Sequence, residues 1–374
     1  MKSRADLKKA GCCVIKIGSA VLTDNGQGLN HAAINDWVKQ VSELKSRGVD
    51  VIIVSSGSVA EGMVRLGWQS RPHALHQLQA AASVGQMGLI QAYEQSFQAR
   101  GFKTAQVLLT HDDLSNRTRY LNARATIKTL LSLSVVPIIN ENDVVANDEL
   151  RVGDNDTLAA IIANLVEADL LMILTDQEGF FDADPRVSSA AKLLGLASVS
   201  DPSLDLAAGG SSGALGRGGM QTKLTAARMA ARSGAATMIV PGLRSRVILD
   251  SIEGCAVGTL LVPDEAPVSA RKRWLSAQLD VKGSLVLDMG AVTALKRSGV
   301  SLLSIGVLAV TGEFNRGDLV VCVAEDGQAL ARGLVNYASV DVAAIKRRNS
   351  SEIEALLGFV AEPELIHRDN LVLL

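Results

Sequence analysis

Aromatic side chains are scarce in this 374-residue chain, which has three Trp, three Tyr and six Phe. A surface that stacks single-stranded bases needs aromatic faces, so that class of partner is poorly served. Cysteine is rarer still: Cys12, Cys13, Cys255 and Cys322. None forms a C-x-x-C pair and no histidine lies at ligand spacing, so reduced core thiols are expected rather than a redox or zinc site. The five histidines include no H-E-x-x-H, which leaves a zinc hydrolase unsupported. No sign of charge dominates either. There are 37 Lys and Arg against 39 Asp and Glu, and a net charge of -2 offers no general attraction to nucleic acid or an anionic membrane. No apolar run approaches the ~18 residues that a membrane span needs. The opening MKSRADLKKAG has no apolar segment behind its basic residues, so it does not read as a signal peptide. A cytoplasmic protein is expected.

What the chain does have is hydrophobic mass, 48% of residues, enough for substantial cores. Its length suggests two or three domains at ~150 residues each. Near-continuous apolar runs read as buried strands at Cys12–Ile17, Val51–Ser55, Thr104–Thr110, Val135–Ile139, Leu170–Leu174 and Thr237–Pro241. Helical patterns lie between them near Ala32–Arg47, Leu75–Arg100, Arg119–Leu133, Thr157–Glu167 and Met220–Ser233. Strand–helix alternation predicts an α/β fold, an open, mostly parallel sheet between helix layers. Ligands of such sheets bind beyond the carboxyl ends of the strands. The pattern changes after Pro263, where PDEAPVSARKRW reads as a linker. Short runs broken by Gly, Asp and Asn then predict a small, mainly β domain. The expected division is 1–262, a linker 263–278, and 279–374.

Four polar clusters follow predicted strands. Lys16-Ile17-Gly18-Ser19 places a lysine where it can meet a phosphate, although an ordinary strand-end lysine reads the same way. Ser55-Ser56-Gly57-Ser58 leaves backbone N–H groups bare at a helix start, which suits an anion or a plain turn and cap. Asn140-Glu141-Asn142-Asp143 and Gly153-Asp154-Asn155-Asp156-Thr157 gather donors and acceptors, with Asp156 doubling as a candidate N-cap. Residues 209–223 carry six glycines and end on Lys223 at a helix start. Their N–H groups can cradle phosphates; a flexible linker is the plainer alternative. This run is neither a Walker A motif nor a dinucleotide fingerprint. Together the clusters fit phosphoryl transfer, which asks a protein for positioning and charge.

In order and wording, VIKIGS, VIIVSSGSVAEG, VVPIINENDVV, VGDNDTLAA, LLMILTDQEGFFDADPR and GRGGMQTK resemble the amino acid kinase family. LDMGAVTAL, SLLSIGV, VTGEFNRGD and ARGLVNYAS resemble a PUA domain. The likeness spans residues 12 to 368. With INEND and the PUA-like tail, it points to family members that phosphorylate the side-chain carboxylate of L-glutamate. The resemblance implies Mg²⁺ and ATP as cofactors, with proline as a feedback inhibitor and a homo-oligomer. It also implies roles: Lys16 and Lys223 on the transferring phosphoryl group, Asp156 orienting both lysines, and Ser56, Asp143 and Asn155 holding glutamate. Thr175 and Asp176 would line the nucleotide site. Arg217, Gly218, Gly219, Met220, Gln221, Thr222 and Lys223 would wrap the ATP phosphates. Arg217 stands where many members carry a small hydroxyl residue. No protein metal ligand is implied.

A PUA-like tail raises RNA binding as a rival role. From Leu279 onward there are nine basic and twelve acidic residues, unfavourable for a phosphate backbone. Only Phe314, Tyr337 and Phe359 are aromatic there, so a nucleic-acid role is not expected.

Overall fold

The structure is a computed structural model that describes residues 1–23, 28–146, 155–209, 219–264, 281–296 and 300–374. The chain divides into two compact units. One comprises Met1–Ser115 and Asn122–Ala270, the other Asn116–Leu121 and Arg271–Leu374.

The strands of the first unit are β1 (Cys12–Ile17), β2 (Asp50–Ser55), β3 (Thr104–Leu109), β4 (Val136–Glu141), β5 (Leu170–Thr175), β6 (Leu196–Ser198), β7 (Ala236–Pro241) and β8 (Thr259–Val262). Its helices are α1 (Ser19–Leu22), α2 (His31–Ser46), α3 (Ser58–Arg65), α4 (Leu75–Gln98), α5 (His111–Ser115), α6 (Arg117–Ser132, whose residues 117–121 are grouped with the second unit), α7 (Asn155–Val166), α8 (Ser203–Ala208), α9 (Met220–Ala231) and α10 (Val247–Ile252). One eight-stranded sheet runs in the order β3-β4-β2-β1-β5-β7-β8-β6. All pairs are parallel except β7 with β8.

Burial follows position in the sheet. Every residue of β5 and β7 is buried, as are five of six in β1 and β2. These strands carry helices on both faces and need no polar alternation. Edge strand β3 buries only Leu109 fully. The core gathers around Trp37, Tyr93 and Phe97 from α2 and α4, with Ile15, Ile53 and Met172 from the strands.

The chain builds outward from β1 through β2 to β3 and β4 on one side, then crosses to β5 and β7 on the other. The reversal falls between β2 and β5, with β1 at the centre. Such a switch point opens a crevice at the strand carboxyl ends. Register puts Lys16 beside Val54 and Ile173, and Ile17 beside Ser55 and Leu174. The ends of β1, β2 and β5 therefore finish level with one another.

Helices α3 and α4 pack unusually closely. A Cβ on Gly62 would lie 1.7 Å from the Ala81 carbonyl oxygen, and one on Gly85 would lie 1.8 Å from that of Ser58. Only glycine fits this crossing. Gly57, which precedes α3, has φ of 89°. It needs the left-handed region that glycine alone enters at little cost.

The second unit holds a five-stranded sheet in the order β10-β9-β11-β12-β13, built from β9 (Gly283–Leu287), β10 (Val307–Gly312), β11 (Leu319–Ala324), β12 (Ala329–Leu334) and β13 (Leu371–Leu373). Only β9 with β11 is parallel. Its separate core includes Leu285, Val320, Cys322, Tyr337 and Ile366.

The four cysteines are free. Cys13 and Cys322 are buried, and burial raises both thiols. Cys255 departs from the expected core thiol and is exposed. No helix among the described residues is long and apolar enough to cross a membrane.

Candidate active site

Lys16 sits near the end of β1, and its ammonium lies 2.6 Å from Asp156 Oδ1. Lys223 reaches the same carboxylate from the first turn of α9, with Nζ 3.1 Å from Oδ2. The Thr222 hydroxyl donates to Oδ2 at 3.0 Å. All three charged groups are buried, Asp156 with no exposed surface and each lysine 6% exposed.

The electrostatics follow from that burial. Desolvation pushes the Asp156 carboxyl up, but the two ammonium groups outweigh it and hold the carboxyl down to about 2. The carboxylate stays ionised, and the triad carries a net charge of one positive unit. A buried surplus of that sign suits a site that receives an anion.

Asp156 was a candidate N-cap. In the structure α7 starts at Asn155, so Asp156 lies in its first turn. Its carboxylate is committed to the lysines and Thr222 from other elements. The structure thus gives Asp156 a long-range ion-pair role beside the cap reading.

Asn155 lies at the other side of the same helix start. Its Nδ2 donates to the Ser55 carbonyl at 2.7 Å, with the Ser56 hydroxyl at 2.9 Å and Asn140 Oδ1 at 3.1 Å. Asn140 in turn donates from Nδ2 to Gln86 Oε1 on α4, at 2.8 Å. Asp143 accepts from the Ser58 hydroxyl at the start of α3, at 3.2 Å. Ser56, Asp143 and Asn155 thus share one polar wall beyond β2 and β4.

On the opposite flank Thr175 ends β5, and its hydroxyl donates to Asp176 at 3.0 Å. Asp176 is exposed and Thr175 buried. Gly18 turns the chain away from β1. A Cβ there would meet the Leu174 carbonyl oxygen at 3.3 Å and Lys16 Nζ at 3.6 Å, so the turn runs close against both.

Gly219 is the N-cap of α9 and Met220, Gln221 and Thr222 form its first turn. Gly219 has no side chain to cap those N–H donors, which favours an anion there. Arg217 and Gly218 lie outside the described residues.

Sequence reasoning passed over two groups in this cluster. Asn140 was seen as part of a polar run but given no role of its own. Gln86 lies within a long helical pattern, and nothing in its neighbours marks it. Only the tertiary approach of α4 to β4 reveals it.

The arrangement has the parts of a phosphoryl-transfer site: two buried cations held by one carboxylate, an uncapped helix start, and a hydrogen-bonding wall beside them. The amino acid kinase family model matches residues 11–241, and the PUA domain model matches residues 283–357. A glutamate 5-kinase of Thioalkalivibrio sulfidiphilus is 58% identical over 373 residues, covering 100% of this chain and 100% of that protein. A glutamate 5-kinase of Pseudomonas aeruginosa is 60% identical over 360 residues, covering 96% of this chain and 97% of that protein. Among solved structures, a carbamate kinase from Giardia lamblia bound to AMP-PNP superposes with a TM-score of 0.51 at 16% identity, covering 69% of this chain and 100% of that one, a likeness of fold. Matched on both counts, by family model and by full-length relatives, the chain belongs to the amino acid kinase family and carries a PUA domain at its C-terminal end.

Proposed function

We propose that this protein transfers the γ-phosphoryl group of ATP to the side-chain carboxylate of L-glutamate, giving L-glutamyl 5-phosphate. The observation that carries the reading is the bridge of Lys16 and Lys223 across one buried carboxylate, Asp156. Relatives named glutamate 5-kinase at 58% identity over the whole chain support the choice of acceptor.

The glutamate carboxylate has a reference pKa near 4.3 and is ionised at neutral pH, so it needs no general base. It attacks the γ-phosphorus in line while ADP leaves. Lys16 and Lys223 face the transferring group from two sides and stabilise charge on its equatorial oxygens. Asp156 keeps both ammonium groups in place. The α9 N-terminus, from Gly219 through Thr222, and the neighbouring Arg217 and Gly218 receive the remaining phosphates. Thr175 and Asp176 flank the nucleotide. Ser56, Asp143 and Asn155 hold the amino acid, Asp143 through its ammonium group.

Mg²⁺ carried on the ATP phosphates would add charge neutralisation. Asp156 does not fit as its ligand, since both carboxylate oxygens already face ammonium groups. The wider reading is a cytoplasmic homo-oligomer at the first step towards proline, inhibited by proline. Its kinase domain would span 1–262, a linker 263–278 and the PUA-like domain 279–374.

Purified protein with ATP, Mg²⁺ and hydroxylamine tests the activity directly. Glutamate should give a hydroxamate, the trapped acyl phosphate, whereas aspartate, N-acetylglutamate and UMP should not. ADP release with UMP and no hydroxamate would overturn the choice of acceptor and keep the nucleotide site.

A further inference from the structure

The amide side chains beyond β2 and β4 have a fixed polarity. Asn155 Nδ2 donates to a backbone carbonyl, that of Ser55, which can only accept. Asn140 Oδ1 accepts from a backbone N–H, that of Glu141, at 2.9 Å. Asn140 must therefore present its Nδ2 to Gln86, and Gln86 must answer with Oε1. Two backbone groups thus settle which way every amide in the row faces.

One donor is left over. Gln86 is 9% exposed, and its Nε2 has no hydrogen-bond partner among the described residues. A buried donor without an acceptor is costly, and native structures keep few of them. Gln86 is held there by its neighbour. Gly85 lets α4 press against the start of α3, which brings the next residue to the ends of β2 and β4.

We propose that Gln86 Nε2 donates a hydrogen bond to the α-carboxylate of the bound amino acid. This rests on the glutamate reading given above. The carboxylate that reacts must meet Lys16 and Lys223. Among the described residues the amides are linked in the order Asn155, Asn140, Gln86, and Asn155 is the chain neighbour of Asp156, so Gln86 is the member of the row most links away from the lysine pair. The second carboxylate of the same substrate belongs at that end. A neutral amide can bind it without drawing the reacting carboxylate to the wrong place, which a third cation would do.

Gln86→Glu is the sharpest probe, because it keeps an oxygen for Asn140 and turns only the free donor into an acceptor. Steady-state kinetics would compare glutamate with 4-aminobutyrate, which is glutamate without its α-carboxylate, as substrate or competitive inhibitor. Loss of one buried hydrogen bond predicts a glutamate KM raised roughly tenfold to a hundredfold, with kcat and the ATP KM within about threefold. The KM or inhibition constant of 4-aminobutyrate should not change. Gln86→Leu, which adds no charge, should act in the same direction and less strongly; it supplies the reading if the Glu variant does not fold. Equal losses for both amino acids, or no loss for either, would overturn the proposal and leave glutamate kinase activity intact. A wild-type protein that forms no hydroxamate from glutamate would remove the activity and this inference together.

Discussion

The two ends of the candidate site are built from different physics. At the lysine end, two cations and one carboxylate are buried in contact, and the interactions are charged. At the amide end, Asn155, Asn140 and Gln86 pass hydrogen bonds between neutral groups, with the Asp143 carboxylate beside them. Charge suits the stabilisation of a transferring phosphoryl group, whose charge changes during reaction. Neutral, directional bonds suit recognition of groups that do not change. On the proposed reading chemistry and recognition separate along one crevice, and substitutions at the two ends should read out in different constants.

Lys223→Ala should have the largest effect. Removing a cation that acts on the transition state is expected to lower kcat by about 10² to 10³, with the glutamate KM little changed. Stopped-turnover assays at saturating substrates would measure it. An unchanged kcat would erase the contrast from the chemical side.

Asp143→Ala comes next and should do the reverse. Loss of a charged hydrogen-bond partner predicts a glutamate KM raised on the order of tenfold or more, at nearly constant kcat. If KM held steady while kcat fell, the amide end would be part of the chemistry after all.

The smallest effect concerns pH and stability. Asp156 in the folded protein titrates at about 2, below its ordinary 3.8. A depressed carboxyl stabilises the fold above the ordinary value, and that contribution is lost as pH falls towards 2. Denaturant titrations of the wild type should therefore show stability declining between pH 4 and 2. Asp156→Asn should lack this portion of the decline. A parallel decline in both proteins would show that the buried ion pairs contribute nothing to acid stability.

Much of this was legible in the sequence. The six strands of apolar runs were readable because central parallel strands are buried on both faces and show no alternation. Lys16, Asn155, Asp156 and Lys223 were visible because polar residues interrupt apolar patterns at strand and helix ends. The short pieces β6 and β8 were not, since runs of three or four residues carry no period. The antiparallel pairing of β8 with β7 likewise carries no local signal in the sequence. Helix α3 was legible at its start, which the Ser55–Ser58 cluster marks, but not in its extent, for a related reason. It holds Gly62 inside an eight-residue span, and its stability comes from contact with α4 rather than from propensity. Gln86 is the clearest case, being a polar residue in a long helix whose meaning arises only from Asn140 across the fold.

The Gly62 and Gly85 crossing has one further consequence. Backbone lies directly on backbone there, and one turn further along α4 the Arg65 side chain of α3 lies against Gly88. The two helices must move as one body, and Ser58 and Gln86 move with them. The spacing of Ser58 and Gln86, the part of the wall that these helices carry, is therefore fixed by the crossing. On the proposed reading, an amino acid that binds against these two residues meets a spacing already fixed, which lowers the ordering cost at that part of the wall.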